Sequence, residues 1–122
     1  MPHKPVPVNA TGILLTDVTS DNSAPSSLTA GFAVSGDTHL LVHCGSSNAW
    51  GSYHASVYFL DTVSGEWALD TSYGTAGDIT VSAPVNLQFA MNRFFKRVYV
   101  RVFNFSASKK ASVWALQSDV TS

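Results

Sequence analysis

Beyond residue 12 the chain alternates. Leu28, Ala30, Phe32 and Val34 interleave with Thr29, Gly31, Ala33 and Ser35, and Ile79, Val81, Ala83, Val85, Leu87 and Phe89 interleave with Thr80, Ser82, Pro84, Asn86 and Gln88. A period of two is what a strand with one buried and one solvated face requires. Further strands fit 13–17, 39–44, 53–61, 66–71, 96–105 and 111–117, separated by "SDNSAPSS", "SGD", "GSSNAWGS", "TVSG", "SYGTAGD" and "SASK", all rich in turn formers. No stretch supports a helix of useful length; "FAMNRFF" at 89–95 has room for a single helical turn. About eight short strands with frequent turns predict an all-β fold, a single antiparallel β-sandwich or small jelly roll.

A chain of 122 residues is the size of one domain with one core. The boundaries expected are an extended Pro-rich N-terminal arm at 1–11 carrying Pro2, Pro5 and Pro7, a sandwich at 12–118, and a short tail at 119–122. Cys44, the one cysteine, excludes an intramolecular disulfide and reads as a small buried hydrophobe. No run approaches the roughly 18 apolar residues of a membrane helix, and no targeting signal is legible, so neither a membrane partner nor conventional secretion is expected.

Only 12% of residues are charged, with a formal net charge of -1, which gives no field for nucleic acid or an acidic membrane. The charges are nevertheless polarised. Seven of the eight acids precede residue 79, whereas Arg93, Lys96, Arg97, Arg101, Lys109 and Lys110 follow it. Two readings stand: the charges pair between early and late strands, or they form opposed patches through which copies dock. Those bases with Tyr99 and Phe103 as stacking platforms have the ingredients of a nucleic-acid surface, but the acidic balance ranks that reading low.

Little in the sequence suggests catalysis or a cofactor. His39 and His43 share a strand face at a separation of roughly 13 Å, too far for one ion, and His54 lies on another strand. Asp61, Glu66 and Asp70 fall near turns, where carboxylates are solvated, and no nucleophile elbow, phosphate loop or spaced Cys/His set occurs. No metal, cofactor or enzymatic activity is expected. A glycan contact is the alternative, through Asn48, Trp50 and Tyr53 of "SSNAWGSY"; against it, Trp50 folds back to plug one end of the sandwich.

The segment "KRVYVRVFNF" carries most of the functional reading. Val98, Val100 and Val102 form a core face; Arg97, Tyr99, Arg101, Phe103 and Phe105 lie on the other. A hairpin through 106–109 sets Val102 against Val113, Val100 against Ala115, Arg101 against Trp114 and Tyr99 against Leu116. Arginines make an awkward core, so the outer face holds Tyr99, Arg101, Phe103, Phe105, Trp114 and Leu116, with Arg101 stacked on Trp114. Aromatics and Arg without Lys or Glu at the centre are the composition of protein interfaces. Either another chain covers that face, or the arm or the 73–78 loop does so within the monomer.

The order of "NAWGSYHASVYF", "SGEW", "APVNLQF" and "VYVRVFNFSASKKASVWAL" resembles small virion structural proteins of tailed bacteriophages, of the head-decoration and head-fibre type. The matching positions are Trp50, Gly51, Ala55, Ser56, Val57, Gly65, Trp67, Val100, Arg101, Val102, Ser112, Ala115 and Leu116. The resemblance implies a non-enzymatic capsid-decoration protein, made in the host cytoplasm and placed on the capsid surface. It would assemble with itself or with the major capsid protein through the outer aromatic/Arg face and the arm, or, in the alternative, bind a receptor glycan through the Trp50 loop.

Overall fold

A computed structural model describes residues 3–7, 13–34, 39–46, 50–90, 95–106 and 108–120, with backbone alone for 3–7 and 118–120. Its ten strands are β1 (His3–Pro7), β2 (Ile13–Val18), β3 (Phe32–Ala33), β4 (His39–Ser46), β5 (Tyr53–Asp61), β6 (Glu66–Leu69), β7 (Ile79–Val81), β8 (Val85–Ala90), β9 (Phe95–Phe103) and β10 (Ala111–Val120). They form two antiparallel sheets of five strands. Sheet I runs β1-β10-β4-β8 with β2 also on β10; sheet II runs β3-β9-β5-β6 with β7 also on β5. The all-β sandwich expected from the alternation is the fold.

The core is the sum of two inner faces. Leu40, Val42, Cys44, Leu87, Ala111, Val113 and Ala115 of sheet I are buried against Tyr53, Ala55, Val57, Val81, Val98, Val100 and Val102 of sheet II. Their β-branched and small side chains fill the roughly 10 Å between packed sheets. The predicted alternation holds through β9, where each buried valine is flanked by half-buried residues. It fails at the start of 28–34: Leu28 is 60% exposed, and only Phe32 and Ala33 form a strand.

Two expected continuities break at crossings between sheets. The stretch 79–89, which reads as one strand, is β7 on β5 in sheet II followed by β8 on β4 in sheet I. Pro84 lies in the break, where a residue with no N–H to donate does no harm to a ladder. The side-chain phase survives, so Ile79, Val81, Leu87 and Phe89 all point into the core.

The second crossing corrects the predicted hairpin: β9 pairs with β5 and β3, β10 pairs with β4, β2 and β1, and the two do not pair with each other. Their apolar faces meet across the sandwich instead of side by side, which buries both completely. Asn104 takes the left-handed conformation (φ 56°) where the chain leaves β9, a region asparagine tolerates better than most residues. Lys109, only 3% exposed, then reaches back so that its Nζ donates to the Ser82 carbonyl at 3.3 Å, tying one crossing to the other.

β1 lies in the segment expected as an arm. It pairs antiparallel with Leu116–Val120, end to end with β2 on the same edge of β10, and β10 runs into the expected tail. Residues 3–7 of the expected arm are thus a strand of this chain's own sheet. The helical turn expected at 89–95 falls largely on 91–94, outside the described residues; among the described residues there is no helix.

Candidate functional site

The crossing after β9 divides the predicted interface between opposite sides of the molecule. Tyr99, Arg101 and Phe103 lie on the outer face of sheet II, and Trp114 and Leu116 on the outer face of sheet I. Arg101 therefore does not stack on Trp114; its guanidinium carbon sits 4.5 Å from the centroid of the Phe103 ring. Phe105 leaves the set altogether, packing against the core with its ring stacked on Tyr53 at 5.5 Å.

On sheet II the aromatic and arginine row is satisfied from within the chain. Residues 21–31 run beside β9 as a strap. Arg101 donates from Nε and Nη2 to the two carboxylate oxygens of Asp21 at 3.1 and 2.7 Å. That hydrogen bonding holds the Asp21 carboxyl below its ordinary range and raises Arg101 further above its own. The pair is about one-third exposed, so its contribution to stability is on the order of 1 kcal/mol or less.

Tyr99 places its hydroxyl 2.7 Å from the Ser23 carbonyl and 3.0 Å from that of Asn22, and burial pushes its ionisation up. Arg97 donates to the carbonyls of Thr29, Ala30 and Gly31, and Trp67 Nε1 donates to that of Ser27 at 2.9 Å. Gly31, at φ 71°, is where the strap turns into β3; a Cβ there would fall on the Val98 carbonyl oxygen.

Of the two covers expected from the sequence, the 73–78 loop contributes on the β5 side. Ser56 Oγ donates to the Gly77 carbonyl, and His54 Nδ1 lies 2.6 Å from Asp78 Oδ1. The strap itself is the cover that sequence reasoning missed. Its only advance signal was the placement of Asp21 among early acids and Arg101 among late bases, which supports pairing within the monomer over opposed patches.

Sheet I presents a different outer surface. Trp114 lies between Ile13 on β2 and His43 on β4, and Leu116 pairs with Leu41 on β4. Trp114, Leu116, Leu41 and Ile13 are 38–39% exposed, although their strand neighbours Val113, Ala115, Leu40, Val42 and Leu14 are buried. Beyond them His43 Nδ1 lies 2.7 Å from Asn86 Oδ1, and the His43 ring is 5.6 Å from that of Trp114. A row of side chains from four neighbouring strands thus makes a broad apolar patch with a polar margin. Leu41 shares the alternation phase of His39 and His43, but "LLV" at 40–42 is a continuous apolar run that does not single it out.

The glycan set is also divided. Tyr53 is fully buried and donates its hydroxyl to the Gly45 carbonyl at 2.8 Å, with burial pushing its ionisation up, so it is a core residue and no ligand contact. Trp50 is 76% exposed, which removes the reading in which it plugs the sandwich. Asn48 lies outside the described residues. His39 and His43 are on the outer side of sheet I and His54 is on the outer side of sheet II, so the three do not converge. Among the described residues no three of His, Cys, Asp and Glu form a candidate metal centre. No described helix is long and apolar enough to cross a membrane.

No family model and no curated protein matches the chain. Among solved structures it is similar to the N-terminal endo-1,4-β-D-xylanase 10B of Clostridium thermocellum, in the crystal structure of its CBM22-1 and GH10 modules complexed with xylohexaose. The identity is 11%, over 99% of this chain and 26% of that one, with a TM-score of 0.42. A likeness this remote says nothing of what the chain binds.

Proposed function

We propose that the chain is a non-enzymatic docking domain, in a phage virion a capsid-decoration protein, that attaches through the outer face of sheet I to a copy of itself or to the major capsid protein. The observation that carries the docking role is the patch of Trp114, Leu116, Leu41 and Ile13, four large apolar side chains that adjoin across three strands and remain about two-fifths exposed. Solvated sheet faces ordinarily alternate to polar residues, and an aromatic centre ringed by Asn and His is interface composition. Sheet II offers no such surface, because its own strap takes up the polar atoms of Tyr99 and Arg101. The virion setting rests on the sequence resemblance alone.

The test is the mass of the assembly in solution, and binding to purified shells of the cognate capsid protein, for the parent chain and for Trp114→Asp. The variant is expected to stay cooperatively folded, since Trp114 faces outward, while losing assembly, because docking would desolvate the carboxylate. Val113→Asp, one residue earlier and fully buried, is expected to unfold the domain. A parent chain that neither self-associates nor binds shells, or a Trp114→Asp variant that assembles normally, would end the docking role.

One observation favours a second reading. The exposure of Trp50 on the loop between β4 and β5 supports stacking on a surface glycan.

A further inference from the structure

Where the open side of the sandwich runs between β6 and β8, the two sheets leave a cleft of about 260 Å³. Its wall is aromatic. Phe59 comes from the inner face of β5, Phe95 opens β9, and their rings stack at 5.6 Å with 18° between planes. Phe89, from the inner face of β8, meets Phe59 edge-on at 5.2 Å. Its rim is polar on both sides of the gap: Asp70 and Ser72 follow β6 of sheet II, and Gln88 stands on the outer face of β8 of sheet I.

The rim is set before any ligand arrives. The Asp70 amide donates to the Val57 carbonyl, and Asp70 Oδ2 accepts from Ser72 N at 3.2 Å and Ser72 Oγ at 2.7 Å. Tyr73 spans the gap between the sheets: its hydroxyl donates to the Gln88 carbonyl at 2.8 Å and accepts from the Gln88 amide at 2.9 Å. Its ring lies edge-on to Phe89 at 5.4 Å. Walls from both sheets are therefore held at fixed separation, and little ordering cost is left for binding to meet.

We infer that this cleft is a binding site for one neutral pyranose ring, a monosaccharide unit or the end of a glycan chain. Three features select that class. The volume is below the roughly 300–1,000 Å³ of clefts that take drug-sized ligands, which suits a single ring. Among the described residues Asp70 is the one charged side chain in the lining, and its carboxylate, which can only accept, suits adjacent hydroxyl donors. Phe59 and Phe89 are each only 6% exposed, so the phenyl surface on offer is that of half-buried Phe95, which suits the C–H face of a pyranose, apolar on one side and hydroxylated at its edge. The site is separate from Trp50, which follows β4 at the other end of β5, and it meets the docking patch only at Gln88, the strand partner of Leu41.

Amide proton–nitrogen correlation spectra of the whole chain, titrated with the methyl pyranosides of glucose, galactose, mannose and xylose, test this directly. At least one glycoside is expected to give saturable shifts at Ser72, Gln88, Ala90 and Phe95 while the Trp50 indole stays still. Ser72→Ala and Asp70→Asn, which alter exposed or half-exposed side chains and leave the backbone bonds to Tyr73 in place, are expected to weaken that binding about tenfold or more with the spectra still dispersed. Absence of saturable shifts with all four glycosides would overturn the assignment. So would shifts centred on Trp50, equal affinity in both variants, or a response to tetramethylammonium in place of the sugars.

Discussion

Cys44 illustrates how a single side chain reports the packing around it. It is fully buried on β4, and burial pushes its thiol up to about 12. An unfolded chain ionises the same thiol near 8.5, so the native state holds its proton over a range in which the unfolded state has lost it. Stability from this group is complete below that unfolded value and falls as pH rises through the window up to about 12. The thiol is also out of reach of the nucleophile chemistry that thiolates perform. Alkylation by iodoacetamide at pH 8 is therefore expected to be negligible in the folded protein and rapid in denaturant; fast labelling of the native chain would contradict the packing of β4 against sheet II. The position was readable in advance, because a lone cysteine in "THLLVHC" has apolar neighbours at the alternating spacing that buries it.

At the scale of elements, the free edge of β9 shows what the sequence concealed. β3 covers this edge only at Arg97 and Val98. Farther along, the Asn22 side chain does what a strand would do: Oδ1 accepts from the Val102 amide at 2.9 Å and Nδ2 donates to the Val100 carbonyl at 3.1 Å. Asn22→Ala would leave both groups without that partner, at a cost of roughly 1–3 kcal/mol, seen as a lower denaturation midpoint with an unchanged slope. An unaltered midpoint would mean water replaces the amide freely. The alternation that announced β5 and β9 is a local property: β5 has the expected bounds, and β9 begins one residue and ends two residues before the expected ones. Which strands pair is not local. "SASK" has the composition of a hairpin turn, yet the valines on β9 and Val113 with Ala115 on β10 bury more surface face to face than side by side. For the same reason the six residues named as one interface come out as three outside sheet II, two outside sheet I and Phe105 half-buried against the core. The strap hid in a Ser- and Asn-rich stretch whose hydrogen bonds go to residues about 80 positions away, a pairing no window of sequence contains. The cleft drew residues from three strands and a loop, and nothing in their spacing announced it.

Taken whole, the two outer faces differ: a strap runs over β9 on sheet II, whereas on sheet I the side chains around Trp114 stay about two-fifths exposed, the face to which the proposed docking role assigns a partner. Sheet I has a further property in its strand order. β10 stands at its centre, with β4 along one edge and both β1 and β2 along the other. On the ribosome every one of those neighbours emerges before the strand that joins them. Until residues 111–120 are made, β2 and β4 have no common partner and half the sandwich has no floor, so closure waits for contacts between distant parts of the chain. Nascent chains halted after Lys110 are accordingly expected to be protease-sensitive throughout and to bind chaperones, whereas chains that include β10 become resistant in one step; a resistant core in the halted chains would show that sheet II matures alone. The timing of this protein's folding is thus set by the last strand of the sandwich to be translated.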